Sequence, residues 1–133
     1  MKIIILVPIY NDWKSVSKLI EEINSKVSNL KCHISIIIIN DASIEQKSIY
    51  VPNLENIQSV KIINMKENRG HARCIAAGLK YIFEKEEFDY VIPMDGDGED
   101  RPEEIKNFVE HIEFNPHRTI VGERVKRSES LFF

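Results

Sequence analysis

Asp95 and Asp97 flank a single glycine in Met94-Asp95-Gly96-Asp97, directly after the apolar run Tyr90-Val91-Ile92-Pro93. Two carboxylates one residue apart at a strand's carboxyl end can share a divalent ion, Mg²⁺ or Mn²⁺, which in turn grips a phosphate. The same spacing also arises in solvated acidic turns, so its weight depends on the surrounding chain. Three further polar segments supply that context: Pro8-Ile9-Tyr10-Asn11-Asp12, Asn40-Asp41-Ala42-Ser43 and Lys66-Glu67-Asn68-Arg69-Gly70-His71. Tyr10 can stack on a base, Asp12 or Asp41 can accept hydrogen bonds from base or ribose, and Arg69 or Arg73 can neutralise phosphate. Together these segments suggest a site for a nucleotide diphosphate.

Other chemistries fit the same residues less well. A calcium loop counted from Asp95 would need Asp or Asn, Gly and Glu where Glu99, Asp100 and Lys106 stand. An aspartyl phosphatase places its acidic pair after the first strand of its fold, not the fourth. No glycine precedes Gly70, which excludes both the dinucleotide fingerprint and the phosphate loop ending in Gly-Lys. His33, His71, His111 and His117 lack compact spacing and read as surface or packing residues. Cys32 and Cys74 lack the nearby partners of a zinc centre and read as buried thiols.

The elements that must carry these turns alternate between strand and helix. Ile3 to Val7 and Ile34 to Ile39 are continuous β-branched runs suited to strands covered on both faces. Val16, Leu19, Ile20, Ile23 and Val27 recur at helical spacing, with Asp12 placed to cap that helix. A short helix followed by loop is expected between Glu45 and Asn56, then a strand from Val60 to Asn64. Ala72, Ile75, Ala76, Leu79, Ile82 and Phe83 form an apolar helical stripe, despite a cost of about 1 kcal/mol for Gly78. The acidic pair follows a fourth strand, and a helix starting near Pro102 buries Ile105, Phe108, Val109 and Ile112. Thr119-Ile120-Val121-Gly122 reads as a fifth strand. The pattern predicts an α/β domain, a mainly parallel sheet with helices on both faces, with the polar turns gathered at the strands' carboxyl ends.

Composition is compatible with one domain of 133 residues, 43% hydrophobic and 29% charged. A net charge of −3, from 18 basic and 21 acidic side chains, offers no cationic field for nucleic acid. The first apolar run is too short for a secretory signal and no stretch is long enough to span a membrane, so a cytoplasmic location is expected.

The quoted segments also carry a family resemblance. Val7-Pro8-Ile9-Tyr10-Asn11-Asp12 resembles the opening Val-Pro-x-Tyr-Asn-Glu of inverting family 2 glycosyltransferases, and Asn40-Asp41-Ala42-Ser43 resembles their Asp-Asp-Gly-Ser turn. Asn68-Arg69-Gly70-His71-Ala72-Arg73, with Ala77-Gly78 beyond it, is similar to their Asn-x-Gly-x-x-x-Ala segment. Met94 to Glu103 resembles Met-Asp-Ala-Asp-Leu-Gln-His-Pro-Pro-Glu of the polyprenyl-phosphate sugar transferase branch, which includes dolichyl-phosphate mannose synthase. Gly122-Glu123-Arg124-Val125-Lys126-Arg127 resembles that branch's Gly-x-Arg-x-x-Arg.

The resemblance implies a GT-A fold that binds a nucleoside-diphosphate sugar, such as a UDP- or GDP-sugar. Pro8, Tyr10 and Asp12 would frame the nucleotide, with Asp41 at the base and Arg69 and Arg73 near phosphate. Asp95 would contact ribose or metal and Asp97 would ligate the Mg²⁺ or Mn²⁺, making the pair the catalytic centre. Arg124 and Arg127 would hold the phosphate of a polyprenyl-phosphate acceptor, bringing the protein to the cytoplasmic face of a membrane; a glycan acceptor is the alternative. Residues 1–133 would then form a nucleotide-sugar-binding domain, incomplete at its C-terminus. Asp12 for Glu, Asn40 for Asp and Ala42 for Gly depart from the family pattern, and Ala42 argues against a left-handed backbone there. Two other functions fit the residues: a nucleotide-sugar-binding or regulatory module without full catalysis, and a metal-dependent nucleotidyl or phosphoryl transferase.

Overall fold

Two isoleucine-rich runs form the centre of the sheet because their side chains are covered on both faces. The computed structural model describes residues 1–47, 49, 53–97 and 102–114. Strands β1 (Lys2–Ile9), β2 (His33–Asn40), β3 (Ser59–Asn64) and β4 (Tyr90–Pro93) form one parallel sheet in the order β3-β2-β1-β4. Helix α1 (Trp13–Lys26) follows β1, α2 (His71–Lys85) links β3 to β4, and α3 (Glu104–Phe114) follows β4.

Alternation along β1 sorts the helices to the two faces. Ile3, Ile5, Val7 and Ile9 pack with Trp13, Val16, Leu19, Ile20 and Ile23 of α1 and with Ile105 and Val109 of α3. Ile4 and Leu6 face the other way, with Ile37 and Ile39, onto Cys74 and Ile82 of α2. The chain therefore runs outward from β1 through β2 to β3, then returns along α2 to the opposite side of β1. That reversal opens a crevice between the carboxyl ends of β1 and β4, the place where such sheets take ligands.

Pro8 suits its position within β1. The Leu6 carbonyl accepts from Met94 N–H on the β4 side, and strand alternation turns Pro8 to that same side, beyond the last β4 pair at Leu6–Pro93. Its missing N–H therefore removes no ladder bond.

Some expectations change. The short helix expected between Glu45 and Asn56 falls partly on residues that lie outside the described ones, and its described residues contain no helix. The end of that segment is pinned by Asn24, whose Oδ1 accepts from Asn56 N–H at 2.9 Å and whose carbonyl accepts from Asn56 Nδ2 at 2.9 Å. Ile57 then closes over the α1 side of the core. The buried line of α2 is Cys74, Gly78 and Ile82, so Leu79 and Phe83 lie outside it, 41% and 80% exposed. The helix is rotated so that its smallest residue, rather than its apolar stripe, meets the sheet. Asp12 occupies the N-cap position of α1, but only its carbonyl serves the helix, accepting from Val16 N–H at 2.9 Å; its carboxylate makes no capping bond. The fifth strand expected at 119–122 lies outside the described residues.

Gly78 sets the distance between α2 and β1. A Cβ there would stand 2.5 Å from Leu6 Cδ1 and 3.1 Å from Ile39 Cγ1. At its other end α2 is fastened by Glu86, which pairs with Lys61 of β3 at 2.5 Å and Lys2 of β1 at 4.0 Å. Gly78→Ala should therefore destabilise the fold by about 1–2 kcal/mol, because overpacking outweighs the gain in helix propensity. In a Leu6→Ala background the same change should stabilise; urea unfolding of the four proteins decides, and an unchanged sign would refute the close-approach account.

Candidate functional site

The carboxyl ends of β1, β2 and β3 are joined by side-chain hydrogen bonds. Asn11, at φ +61° just beyond β1, donates its N–H to Ser43 Oγ at 2.8 Å and accepts from the Ile44 and Glu45 N–H groups through Oδ1. The Ser43 hydroxyl donates to Asn40 Oδ1 at 2.5 Å, and Asn40 Nδ2 donates to Asn64 Oδ1 at 2.9 Å. The run crosses from β1 through β2 to β3. An aspartate at position 40 could accept from Ser43 but could not donate to Asn64, so the asparagine has its own use here. Ala42 does adopt the left-handed conformation, at φ +55°, contrary to expectation. Asn40 Oδ1, bonded to both the N–H and the hydroxyl of Ser43, holds the turn tightly enough to offset a cost of roughly 1–2 kcal/mol.

Asp41 carries the connection onward to α2. Its side chain is buried, at 5% exposure; Oδ1 accepts from Arg69 N–H at 2.7 Å and Oδ2 from Gly70 N–H at 2.9 Å. Asn68 Nδ2 reaches its main-chain carbonyl at 3.2 Å. Burial alone would raise its pKa, but the Arg69 amide, the Cys74 thiol and the Gly70 amide together outweigh that and hold it below the ordinary 3.8. The same pairing acts in reverse on Cys74, whose thiol is pushed up to about 12 by burial and then by the adjoining Asp41 carboxylate. The two amides entering α2, which elsewhere could cradle a phosphate, are thus taken by the protein's own carboxylate.

Across the crevice lies the acidic turn. Asp95 is three-quarters buried and Asp97 is exposed, with buried Gly96 between them. A Cβ on Gly96 would stand 2.7 Å from Ile9 Cγ2 and 3.2 Å from Val7 Cγ1, so the turn rests directly on the end of β1. Tyr10 leaves that same strand end 40% exposed, followed by half-buried Asp12. His71, the first residue of α2, brings Nε2 to 3.2 Å from Asp95 Oδ1. Tyr10 and Asp12 thus follow the same β1 end on which the Asp95-Gly96-Asp97 turn rests. Pro8 supports it from within β1, while Arg69 pairs with Glu67 and Arg73 is exposed on the first turns of α2. Arg124 and Arg127 lie outside the described residues.

His71 and Asn11 are the contributors not foreseen. Histidine spacing along the chain gives no hint of His71; its place immediately after Gly70, opening a helix at the ligand edge, is the signal available. Asn11 is marked only by being an asparagine at a turn, where a left-handed backbone is tolerated.

Asp95 and Asp97 supply hard oxygen donors of the kind Mg²⁺ and Mn²⁺ take. Among the described residues no group of three or more His, Cys, Asp or Glu side chains could hold a metal ion. Two carboxylates are the donor set of an ion completed by phosphate and water.

The depressed Asp41 pKa stabilises the fold fully above the unfolded-state value and progressively less as pH falls through the folded one. Asp41→Asn should lower stability at neutral pH by about 2–4 kcal/mol and flatten the acid limb below about pH 4. Urea midpoints against pH test this, and parallel limbs for both proteins would count against it. Cys74, with its raised pKa, adds stability below the unfolded thiol's range that is lost as pH rises toward 12. Its alkylation by iodoacetamide at pH 8 should need global unfolding, so native-state labelling at the rate of a free thiol would contradict the burial and pairing described.

The family described as Glycosyl transferase family 2 matches residues 4–133. Undecaprenyl-phosphate 4-deoxy-4-formamido-L-arabinose transferase of Proteus mirabilis is 26% identical over 134 residues, covering 99% of this chain and 39% of that protein. Uncharacterized protein MJ0544 of Methanocaldococcus jannaschii is 22% identical, covering 91% of this chain and 51% of that one. The chain thus spans about two-fifths to half the length of these relatives. The crystal structure of S. aureus TarS 1–349 superposes with a TM-score of 0.64 at 19% identity, covering 87% of this chain and 33% of that one. TarS 1–349 has also been crystallised in complex with UDP-GlcNAc, and that structure gives a TM-score of 0.59. The fold is that of GT-A glycosyltransferases, and the chain belongs to glycosyl transferase family 2.

Proposed function

We propose that this chain is the donor-binding part of a glycosyltransferase that takes a sugar from a nucleoside diphosphate and delivers it to an acceptor, with a polyprenyl phosphate as the acceptor class. The observation that carries the reading is the Asp95-Gly96-Asp97 turn seated on the end of β1, the strand end that Tyr10 and Asp12 directly follow, where the strand order reverses. The undecaprenyl-phosphate sugar transferases among its relatives support the acceptor class. No described helix is long and apolar enough to cross a membrane, so contact with a lipid-borne acceptor would be peripheral or made through other parts of the whole protein.

In this reading the half-exposed Tyr10 ring stacks on the base and the Asp12 carboxylate, released from capping duty, accepts from base or ribose. Asp41 keeps Arg69 and Gly70 in place and so shapes the wall of the nucleotide site. Asp95 and Asp97 hold the ion. A bound Mg²⁺ or Mn²⁺ would act as a Lewis acid on the departing diphosphate. The acceptor oxygen would then displace the diphosphate from the anomeric carbon in one step, inverting that centre. A phosphate acceptor arrives already ionised and needs no general base, which suits a site whose described carboxylates are engaged elsewhere. Arg124 and Arg127 would neutralise that phosphate.

With Asp95 and Asp97 as ligands among the described residues, metal and nucleotide should bind together. Calorimetry with UDP-, GDP- and dTDP-sugars should show one base class binding in Mn²⁺ and weakening at least about tenfold, roughly 1.4 kcal/mol, without it. Asp97→Asn should give the same loss with Mn²⁺ present. No binding of any donor in Mn²⁺, or an unaffected Asp97→Asn, would sink the proposal; donor binding without transfer to a polyprenyl phosphate would assign the chain the donor step alone.

A further inference from the structure

The contact between His71 and Asp95 joins two elements that are not neighbours in the sheet. Asp95 follows β4, whereas the entry to α2 is anchored by Asp41 at the end of β2, with β1 lying between those strands. His71 spans that gap, its Nε2 3.2 Å from Asp95 Oδ1. We propose that His71 is a positioning residue for Asp95, donating from Nε2–H to Oδ1 and fixing the carboxylate in the orientation that meets the metal–diphosphate group. The inference rests on reading Asp95-Gly96-Asp97 as the donor site and names the device that preorganises it.

An aspartate in a turn has two side-chain torsions to lose when it binds an ion, and that entropy weakens binding unless it is lost beforehand. A donor set on a helix removes that freedom more effectively than one on a loop, because the helix backbone is itself fixed. Here the helix entry is held twice over. The Asp41 carboxylate takes the two amides before it, and Cys74 N–H bonds to the Gly70 carbonyl at 3.1 Å as the first turn closes. A carboxylate offers about four acceptor directions, so one bond from an imidazole is compatible with metal ligation by the same group. Partners in the second layer commonly tune metal affinity in this way. His71 is more than half exposed, so its removal leaves the core intact.

The test is Mn²⁺ binding to the 133-residue chain in the presence of UDP, GDP or dTDP, followed by electron paramagnetic resonance, with thermal midpoints measured alongside. His71→Ala should weaken Mn²⁺ binding in the diphosphate complex by about tenfold or more while the midpoint holds. His71→Gln, which keeps an N–H donor at similar reach, should recover most of that affinity. Equal affinity in His71→Ala and the parent chain overturns the proposal. So does a loss that His71→Gln fails to repair, or one matched by a fall of several degrees in the midpoint. If the parent chain takes no Mn²⁺ with any diphosphate, and Asp97→Asn is indistinguishable from it, the donor-site reading fails and the positioning role falls with it.

Discussion

One buried carboxylate organises the ligand edge of this sheet. Asp41 is almost fully withdrawn from water, yet it stays ionised because two amides at the entry of α2 and the Cys74 thiol converge on it. A buried charge is tolerated when its hydrogen-bonding capacity is met, and here the partners come from an element remote in sequence. The bond set therefore fixes where α2 begins relative to the end of β2. Everything on that helix's first turn, His71 included, inherits its position from Asp41.

The rest of the edge is built to the same plan, with short polar side chains joining strand ends that the ladder no longer pairs. Asn11, Ser43, Asn40 and Asn64 form a hydrogen-bonded run from β1 to β3, and His71 extends the connection to the turn after β4. Such a network stiffens the edge because its bonds tie the strand ends to one another. Below it the isoleucine-rich strands and the close approach at Gly78 provide a base that does not shift. Groups mounted on that base need little reorganisation on binding a ligand.

The parallel strands, the placing of α1 and α3, and the gathering of polar turns at one edge were all legible in the sequence. Continuous β-branched runs such as Ile34 to Ile39 suit only strands buried on two faces, and the helical spacing of Val16, Leu19, Ile20 and Ile23 admits one buried side. Legibility failed where the deciding partner was distant. The apolar stripe of α2 suggested burial of Leu79 and Phe83, but Leu6 fits only against a residue without a side chain, and Gly78 turned the helix accordingly. The end of the segment after β2 is held by partners distant in sequence, with Asn24 bonded to Asn56 and Ile57 filling the core space beside α1. Ala42 adopted a conformation its residue type disfavours because Asn40 and Ser43 over-determine the turn.

By itself the sequence determined the periodicities, and with them the layers of the fold and the residue types at its ligand edge. It supplied Asp95 and Asp97 with their spacing, Tyr10 and Asp12 after the first strand, and the motifs that mark the family. Only the tertiary structure decided which of these groups face one another. It left the Asp12 carboxylate out of helix capping, turned the Asp41 carboxylate inward to the α2 entry, and brought His71 to Asp95. The reason is physical: periodicity is a property of neighbours along the chain, whereas a hydrogen bond between residues 41 and 69, or a contact between 71 and 95, exists only once the sheet order has set their distance.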